Sequence, residues 1–233
     1  HQKRSISNEI VELELAQKIL KKFKLDETIL SINQNNTGLI NQTFEIYTTK
    51  NQYILQEINT QVFPYFQKGL ENIILIKKWL KQTSYPYEFP SPLQNQYLNF
   101  DNKLWRILPY VKNSKSINKV SSINELEEAV KCMSKFYRCL QDFPIEKLNV
   151  TIPNFHSGKY KIMAFNKALK NSSELRKKKS EPLILEIERD LKILAEWDKV
   201  YRKLPKRVIH YDAKINNFLF KKNTNKVIAL IDL

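Results

Sequence analysis

Hydrophobic and polar positions follow two different periods along this chain, and the changes of period divide it into elements. From Asn8 to Phe23 the apolar residues have mostly helical spacing, with acidic residues early and lysines late, which suits the helix dipole. Between Leu30 and Ile58 the period falls to two. The alternating segments are Ile29–Asn33, Thr43–Thr48 and Gln52–Ile58. They predict a three-stranded antiparallel meander after a leading helix.

The middle of the chain changes period again. Phe66 to Lys81 places its apolar residues on one helical stripe, and three prolines follow it. Tyr97–Phe100 and Lys103–Tyr110 then predict a β-hairpin, after which the composition becomes polar from Lys112 to Ser122. We therefore predict a boundary at this point, with residues 1–110 as an N-terminal lobe and 111–233 as a C-terminal lobe.

Helical spacing dominates the C-terminal lobe until its last quarter. Ser122 to Leu140 begins with a capping box, in which Glu125 stands three residues after Ser122. Ile162–Leu169 predicts a short helix. Pro182 is expected in the first turn of a further helix that continues to about Lys203. Together these patterns predict the α+β class.

The chain is strongly basic, with 39 Lys and Arg residues against 24 Asp and Glu and a net charge of +15. We interpret the excess mainly as solvated faces. The alternative is a surface that attracts a polyanion such as ATP or nucleic acid. The densest basic run, Arg176–Lys179, is predicted to be a mobile loop between helices. Because no aromatic residues interleave a basic motif, nucleic acid is not expected as a partner.

Two cysteines and the apolar runs of the chain indicate the cellular compartment of the protein. Cys132 and Cys139 are seven residues apart on the same predicted helix, a rise of about 10 Å that exceeds the ~7 Å limit for a disulfide. They are therefore expected to be free core thiols in a reducing compartment. No apolar run approaches the ~20 residues that span a bilayer. The predicted location is the cytoplasm, without a membrane partner.

The segment Val208–Leu233, at the end of the C-terminal lobe, contains the polar residues that could catalyse a reaction. A short apolar strand, Val208–Ile209, leads into Asp212, and Asn217 follows five residues later. Two more predicted strands come next, and the second of them ends at Asp232. An Asp, an Asn and an Asp at strand ends and in the connecting loop are typical of a phosphoryl-transfer site, where oxygen ligands hold Mg²⁺ and one carboxylate takes a proton from a hydroxyl.

Two further residues of this segment have predicted roles. Lys214 is close enough to Asp212 in sequence to offset negative charge on a transferred phosphoryl group. His210 is expected to stiffen the loop by hydrogen bonding and not to take part in the reaction. The alternative for the whole segment is an ordinary loop, because Asp and Asn are frequent loop residues.

The segment resembles a known family. His210-Tyr-Asp212-Ala-Lys214-Ile-Asn-Asn217, followed by Ile231-Asp232-Leu233, is similar to the kinases of the aminoglycoside phosphotransferase and choline kinase superfamily. Further stretches resemble its N-acetylhexosamine 1-kinase branch, and they occur in the same order along nearly the whole chain. They are Gly38-Leu-Ile-Asn41-Gln-Thr43, Tyr53-Ile-Leu-Gln-Glu-Ile-Asn59, Val62-Phe63, Glu71-Asn-Ile73, Trp105-Arg-Ile-Leu-Pro-Tyr110 and Thr151-Ile-Pro-Asn-Phe-His156.

The resemblance implies a two-lobed, protein-kinase-like fold and an enzyme that uses ATP and Mg²⁺. Asp212 would be the catalytic base, and Asn217 and Asp232 the magnesium ligands. The acceptor in the resembling branch is the anomeric hydroxyl of an N-acetylated sugar, so the expected product is a sugar 1-phosphate and the expected role lies in carbohydrate metabolism.

The resemblance also implies the residues around the nucleotide. The turn from Gly38 to Asn41 would cover the phosphates, with Thr43 at the start of the next strand. The segment Leu108-Pro109-Tyr110 would be the hinge near adenine. Gln56 stands where many relatives have a lysine that pairs with a helical glutamate. Glu71 is a candidate for that glutamate, but its strand partner is left open.

Two features leave alternatives open. The chain stops one residue after Asp232, where relatives continue with helices around the acceptor site, so we expect a C-terminally truncated piece. The neutral Gln56 and the total of three glycines are compatible with a catalytically silent kinase-like binding module. A related small-molecule kinase with a choline-, aminoglycoside- or homoserine-like acceptor is the other alternative, although the basic composition disfavours a cationic acceptor.

Overall fold

The computed structural model describes residues 6–35, 40–201 and 203–232, with side chains from residue 12 onward. The helices are α1 (Ile6–Lys22), α2 (Phe66–Gln82), α3 (Ile123–Cys139), α4 (Gly158–Asn171) and α5 (Glu174–Tyr201). The strands are β1 (Ile29–Asn35), β2 (Gln42–Thr48), β3 (Gln52–Ile58), β4 (Leu98–Phe100), β5 (Lys103–Pro109), β6 (Ser114–Lys115), β7 (Phe218–Lys221) and β8 (Val227–Leu230). Short 3₁₀ turns span Leu93–Asn95, Ile145–Lys147 and Ile215–Asn217. The α+β class is confirmed.

The chain divides into two compact units. One contains the residues up to Thr151 together with those from Arg207 onward, and the other is Ile152–Lys206. The predicted lobe boundary between residues 110 and 111 falls inside the first unit and stays a prediction.

The first unit holds two antiparallel sheets. The larger sheet has the strand order β1-β2-β3-β5-β4, and the smaller one has the order β6-β7-β8. The predicted meander and hairpin are thus confirmed, and β5 joins them by pairing with β3. Because side chains alternate between the faces of a strand, each strand of the larger sheet offers one set of residues to the core and another to the opposite face.

Two hydrophobic clusters stabilise the first unit. One packs α1 against the larger sheet, and its fully buried members include Phe23, Ile46 and Trp105. The other joins α2 and α3 to the smaller sheet through residues such as Phe136 and Phe220. Cys132 and Cys139 are both buried and free, as predicted. Burial raises the pKa of the Cys132 thiol to about 11, so this thiol stays protonated.

The capping box of α3 forms only in part. Ser122 Oγ accepts the backbone N–H of Glu125 at 3.3 Å, as predicted. The Glu125 carboxylate, however, accepts from the backbone and hydroxyl of Ser121 at 2.7 and 2.8 Å, one residue before the expected partner. These hydrogen bonds lower the pKa of Glu125. The helix start is fixed by two serines and not by one.

The second unit consists of α4 and α5. The carboxylate of Asp198 on α5 accepts the backbone N–H groups of Gly158 and Lys159 at 2.8 and 2.7 Å, so α5 caps the start of α4. Gly158 approaches α5 so closely that a Cβ there would lie 2.2 Å from the Leu194 carbonyl oxygen. Among the described residues of this unit, Gly158 is the only buried one.

Three local predictions were wrong. Arg176–Lys179 lies within α5 and is not a loop, since α5 begins at Glu174. Pro182 therefore stands inside α5 and not in its first turn. Val208–Ile209 is not a strand, although Val208 is buried in the cluster around α3. Within the part of the chain that the structure describes, no helix has the length and apolar character needed to cross a membrane.

Candidate active site

The loop that follows residue 208 is held in place by the amide of Asn217. The side-chain Nδ2 of Asn217 donates to the backbone carbonyl of Asp212 at 2.8 Å and to its carboxylate Oδ2 at 3.3 Å. A short 3₁₀ turn, Ile215–Asn217, brings the amide back toward Asp212, with the Asn217 backbone N–H bonded to the Lys214 carbonyl at 3.0 Å. The five-residue spacing of the motif therefore includes this turn, which returns the Asn217 side chain to Asp212.

Lys214 and Asp212 form an ion pair at the surface of the loop. The Lys214 ammonium lies 2.6 Å from Asp212 Oδ2, and both side chains are about half exposed. Such a pair contributes little to stability because water screens it, so both groups can exchange it for a ligand. The carboxylate of Asp212 is the kind of group that can receive a proton from a substrate hydroxyl.

His210 connects this loop to the end of β8. The imidazole is buried, and its Nε2 lies 2.9 Å from the Ile231 carbonyl oxygen. The Asp212 backbone N–H lies 3.4 Å from Nδ1, so Nδ1 accepts and Nε2 carries the proton that it donates to Ile231. Burial lowers the pKa of His210, against the opposing effect of the Ile231 carbonyl and of the Asp232 and Asp212 carboxylates. The structure therefore confirms the predicted stiffening role.

Ile231 ties the two halves of the segment together through its backbone. Its N–H donates to the Asn217 carbonyl at 3.0 Å, while its carbonyl accepts from His210. The next residue is Asp232, whose backbone φ is 67°. Asp is one of the residues that tolerate this left-handed conformation. Asn217 and Asp232 line the same cavity.

That cavity has a volume of about 420 Å³, within the usual range for small-molecule sites. Its first side, here called the loop wall, consists of Lys214, Asn217 and Asp232. Asp212 forms an ion pair with Lys214 and accepts a hydrogen bond from Asn217. Its second side, the sheet wall, comes from the face of β2, β3 and β5 that points away from α1. The lining residues of the sheet wall are Thr43, Glu45, Ile54, Gln56, Arg106 and Leu108.

Most residues predicted to contact the nucleotide line this cavity. Thr43, Gln56, Leu108 and Tyr110 do so, and burial, aided by Glu45 and Tyr47, raises the pKa of Tyr110. Asn41 is not among the lining residues. Its side-chain oxygen accepts the Asn59 backbone N–H at 3.0 Å and so holds the end of the β1–β2 turn. Gly38 lies outside the described residues.

Three charged residues of the cavity were missed from the sequence. They are Glu45, Arg106 and Lys115. Glu45 and Arg106 could have been found from the strand alternation, since each stands two residues from a predicted lining position. Glu71, the candidate helical glutamate, accepts from Asn149 Nδ2 at 3.0 Å and does not line the cavity.

Asn217 and Asp232 fit a magnesium ion by their chemistry. Because Nδ2 of Asn217 donates to Asp212, the Oδ1 atom is the one that can coordinate a cation. The described residues contain no group of three or more His, Cys, Asp or Glu side chains that could hold a metal. One carboxylate and one amide oxygen are the partial set that Mg²⁺ completes with phosphate oxygens and water, whereas calcium or zinc sites need more protein ligands.

The chain resembles solved aminoglycoside phosphotransferases in fold. It superposes on spectinomycin phosphotransferase APH(9)-Ia, solved with ADP and spectinomycin, with a TM-score of 0.60 and 13% identity, covering 93% of this chain and 68% of that one. For a thermostable mutant of aminoglycoside phosphotransferase APH(4)-Ia in its apo form, the TM-score is 0.59 and the identity 12%, over 93% of this chain and 70% of that one. The predicted kinase-like fold is confirmed.

The sequence itself matches a family model. The model describes the phosphotransferase enzyme family, abbreviated APH, and it matches residues 31–233, which include both walls of the cavity. A match over most of the chain establishes the family, independently of the low identity to the solved structures. The chain therefore belongs to the phosphotransferase enzyme family, and it is a phosphotransferase that acts on a hydroxyl group.

Proposed function

We propose that this protein transfers the γ-phosphoryl group of ATP to the anomeric hydroxyl of an N-acetylhexosamine. The observation that carries the phosphoryl-transfer part is the cavity, where Lys214, Asn217 and Asp232 lie opposite a strand surface that suits a nucleotide. The proposed base, Asp212, is not itself a lining residue, but it is bonded to Lys214 and Asn217, which are. The solved complexes of related fold contain ADP with spectinomycin, or AMP, which supports a nucleotide in this position.

In the proposed reaction, Asp212 orients the acceptor hydroxyl and takes its proton. The bond between the γ-phosphorus and the bridging oxygen breaks, ADP leaves with that bond's electrons, and a new bond forms from the phosphorus to the acceptor oxygen. Asn217 and Asp232 would hold Mg²⁺, which neutralises phosphate charge when bound. Lys214 would release Asp212 and turn to the transferred group, a change that its half-exposed side chain allows.

The charges of the cavity support a neutral acceptor. Three cationic side chains line it, Arg106, Lys115 and Lys214, against the carboxylates of Glu45 and Asp232. Lys115 has no phosphate role in this reaction and would repel a polycationic acceptor, whereas an N-acetylated sugar carries no charge. The motifs that resemble the N-acetylhexosamine branch favour the same acceptor.

An aminoglycoside-type acceptor is the second candidate. Its support is the fold similarity to enzymes solved with spectinomycin or hygromycin B. The two candidates differ in acceptor charge, so a single panel distinguishes them.

The test uses labelled ATP, Mg²⁺ and a panel of acceptors: N-acetylglucosamine, N-acetylgalactosamine, choline, spectinomycin and hygromycin B. We expect a sugar 1-phosphate, and we expect Asp212→Asn to lower kcat by about 10²–10⁴-fold because the base is lost. Asp101→Asn is the matched control, since Asp101 lies in the exposed β4–β5 turn with φ of 54°, where Asn is equally suitable. Phosphorylation of only the antibiotics would establish the second candidate, and full activity of Asp212→Asn would refute the assignment of the base.

A further inference from the structure

Arg106 is a buried cation on the sheet wall. Its side chain lies in the interior of β5, only 8% of the residue is exposed, and it lines the cavity. A buried charge is unfavourable unless a counter-charge and hydrogen bonds compensate for it. The partners of the guanidinium therefore indicate what completes the site.

The protein gives Arg106 a neutral partner. Arg106 Nε donates to Gln56 Oε1 at 2.8 Å, and Gln56 Nε2 donates in turn to Thr43 Oγ1 at 3.0 Å. Among the residues that the structure describes, no carboxylate lies within 4.0 Å of the guanidinium. The relay uses one of the five N–H groups of the arginine. It fixes the direction of the side chain and leaves its positive charge uncompensated.

The nearby carboxylates are bound elsewhere. Glu45 accepts from Asn35 at 3.1 Å and from the Tyr47 hydroxyl at 3.4 Å. Glu57 on β3 is paired with Lys103 at 2.9 Å. The carboxylate of Glu71 accepts from Asn149. A negative charge for Arg106 would have to come from a ligand in the cavity.

The register of the sheet indicates which part of a nucleotide would supply this negative charge. Gln56 pairs with Thr43 on β2 and with Arg106 on β5, so these three polar side chains form one row across the sheet. Ile54 pairs in the same way with Glu45 and Leu108, and this second row lies about 7 Å away along the strands. The second row is next to the segment that ends β5, and the first is nearer to the start of β2.

The two rows suit different parts of the ligand. Ile54 and Leu108 offer apolar surface to a flat base at the hinge end of the cavity. Thr43, Gln56 and Arg106 offer donors at the end where the β1–β2 turn leads into β2. A nucleotide whose base lies on the apolar row therefore places its phosphates toward the row that contains the unpaired guanidinium.

We propose that Arg106 is a phosphate-binding residue of the sheet wall, oriented by Gln56 and Thr43, and that it contacts the α- or β-phosphate of the bound nucleotide. The planar guanidinium keeps four N–H groups for this contact and can form two parallel hydrogen bonds to phosphate oxygens. The cationic side chain that the sheet contributes to the site is thus Arg106 on β5, and the side chain beside it on β3, Gln56, is neutral. This inference rests on the proposed nucleotide-dependent function.

The test measures binding and does not depend on turnover. ADP and adenosine are titrated with Mg²⁺ into the wild-type chain and into Arg106→Gln by isothermal titration calorimetry. We expect ADP affinity to fall roughly 10- to 100-fold, the usual effect of losing a charged hydrogen bond, while adenosine affinity stays the same. Lys103→Gln is the matched control, because Lys103 is on the same strand but exposed and paired with Glu57. It is expected to leave both affinities unchanged.

A second variant tests whether Arg106 binds the ligand or has a purely structural role. Gln56→Glu supplies an internal counter-ion to Arg106, so it should raise the unfolding temperature and at the same time weaken ADP binding. Unchanged ADP affinity in either variant would overturn the inference, as would an equal loss for ADP and adenosine in Arg106→Gln. If the wild-type chain binds neither ligand, the proposed function fails and the inference fails with it.

Discussion

The two walls of the cavity are built in different ways. The loop wall comes from one continuous segment, residues 210–232, and bonds between side chains and backbone carbonyls hold it together, from Asn217 Nδ2 to Asp212 and from His210 Nε2 to Ile231. The sheet wall comes from three strands between residues 42 and 109, and its polar row is held by side chains bonded to side chains. The loop wall carries the proposed base and metal ligands, while the sheet wall carries the buried cation.

This difference separates two kinds of contribution. In the proposed reaction, groups on the loop wall act on atoms that change charge, so their loss should appear mainly in kcat. Groups on the sheet wall would hold parts of the nucleotide that do not react, so their loss should appear mainly in affinity. The experiments below test whether this separation holds, beginning with the largest expected effect.

Replacing Asn217 by Ala should give the largest effect. The change removes a proposed metal ligand and also the two hydrogen bonds that position Asp212. We expect kcat to fall by about 10²-fold or more, since a misplaced catalytic group alone can cost that much. Steady-state kinetics with saturating ATP and acceptor measure this fall.

Asn225→Ala is the control for this variant. Asn225 is an exposed residue in the turn between β7 and β8, and its amide lies 3.5 Å from Ser122 Oγ, so its loss should leave kcat unchanged. An Asn217→Ala enzyme with normal kcat and a raised KM for ATP would contradict the division between the walls.

The walls also differ in how well the sequence predicted them. The loop wall was predicted because its residues are neighbours along the chain, and the five-residue spacing of Asp212 and Asn217 is preserved in a single turn. The strand alternation could have placed Arg106 on the cavity face, but its bond to Gln56 exists only through the pairing of β3 with β5. Cross-strand partners depend on a register that the local alternation of residues does not fix.

The elements that were predicted wrongly show the same limit. A proline such as Pro182 predicts a helix start, but the residues before it are good helix formers and Lys177 pairs with Glu174 at 2.7 Å, so α5 begins earlier. The apolar Val208 predicts a strand, but it packs in a core without strand pairing. Apolar spacing predicts burial reliably, and it predicts hydrogen-bonding partners less well.

Replacing Thr43 by Val should have a smaller effect, and this effect should appear in the affinity for ATP. Valine keeps the shape of the side chain but removes the oxygen that accepts from Gln56, so the relay to Arg106 is loosened while the charge stays. The loss of one neutral hydrogen bond should raise the KM for ATP by roughly 2- to 12-fold and leave kcat nearly unchanged.

Thr49→Val is the matched control for the sheet wall. Thr49 is exposed in the turn between β2 and β3, and it does not line the cavity. Its replacement should leave the KM for ATP unchanged. A fall in kcat for Thr43→Val as large as the fall in kcat/KM would mean that the sheet wall contributes to the chemical step.

The smallest effect concerns the pH dependence of stability, and it tests how the loop wall is held. Burial lowers the pKa of His210 in the folded chain, so below the ordinary histidine pKa near 6.5 the unfolded chain binds more protons than the folded one. The contribution of the neutral His210 to the stability of the folded chain is fully present above pH 6.5. It is lost as the pH falls through the lower pKa that His210 has in the folded chain. We expect the unfolding temperature to decrease by a few degrees at most from pH 7 downward, and less in His210→Gln.

The control for this prediction is His156→Gln. Burial and the nearby Lys161 also lower the pKa of His156, but its side chain is exposed, so its replacement should change the profile less. The carboxyl groups with lowered pKa values, Glu27 and Glu125, lose their contribution to stability only as the pH falls below their ordinary value near 4.5, so the two profiles are compared above that pH. If the wild type and His210→Gln have the same profile, the folded chain accepts a protonated His210. Nδ1 would then be a donor, it could not accept the Asp212 N–H, and the backbone of the proposed base would be held only at its carbonyl, by Asn217 Nδ2 and the Lys214 N–H.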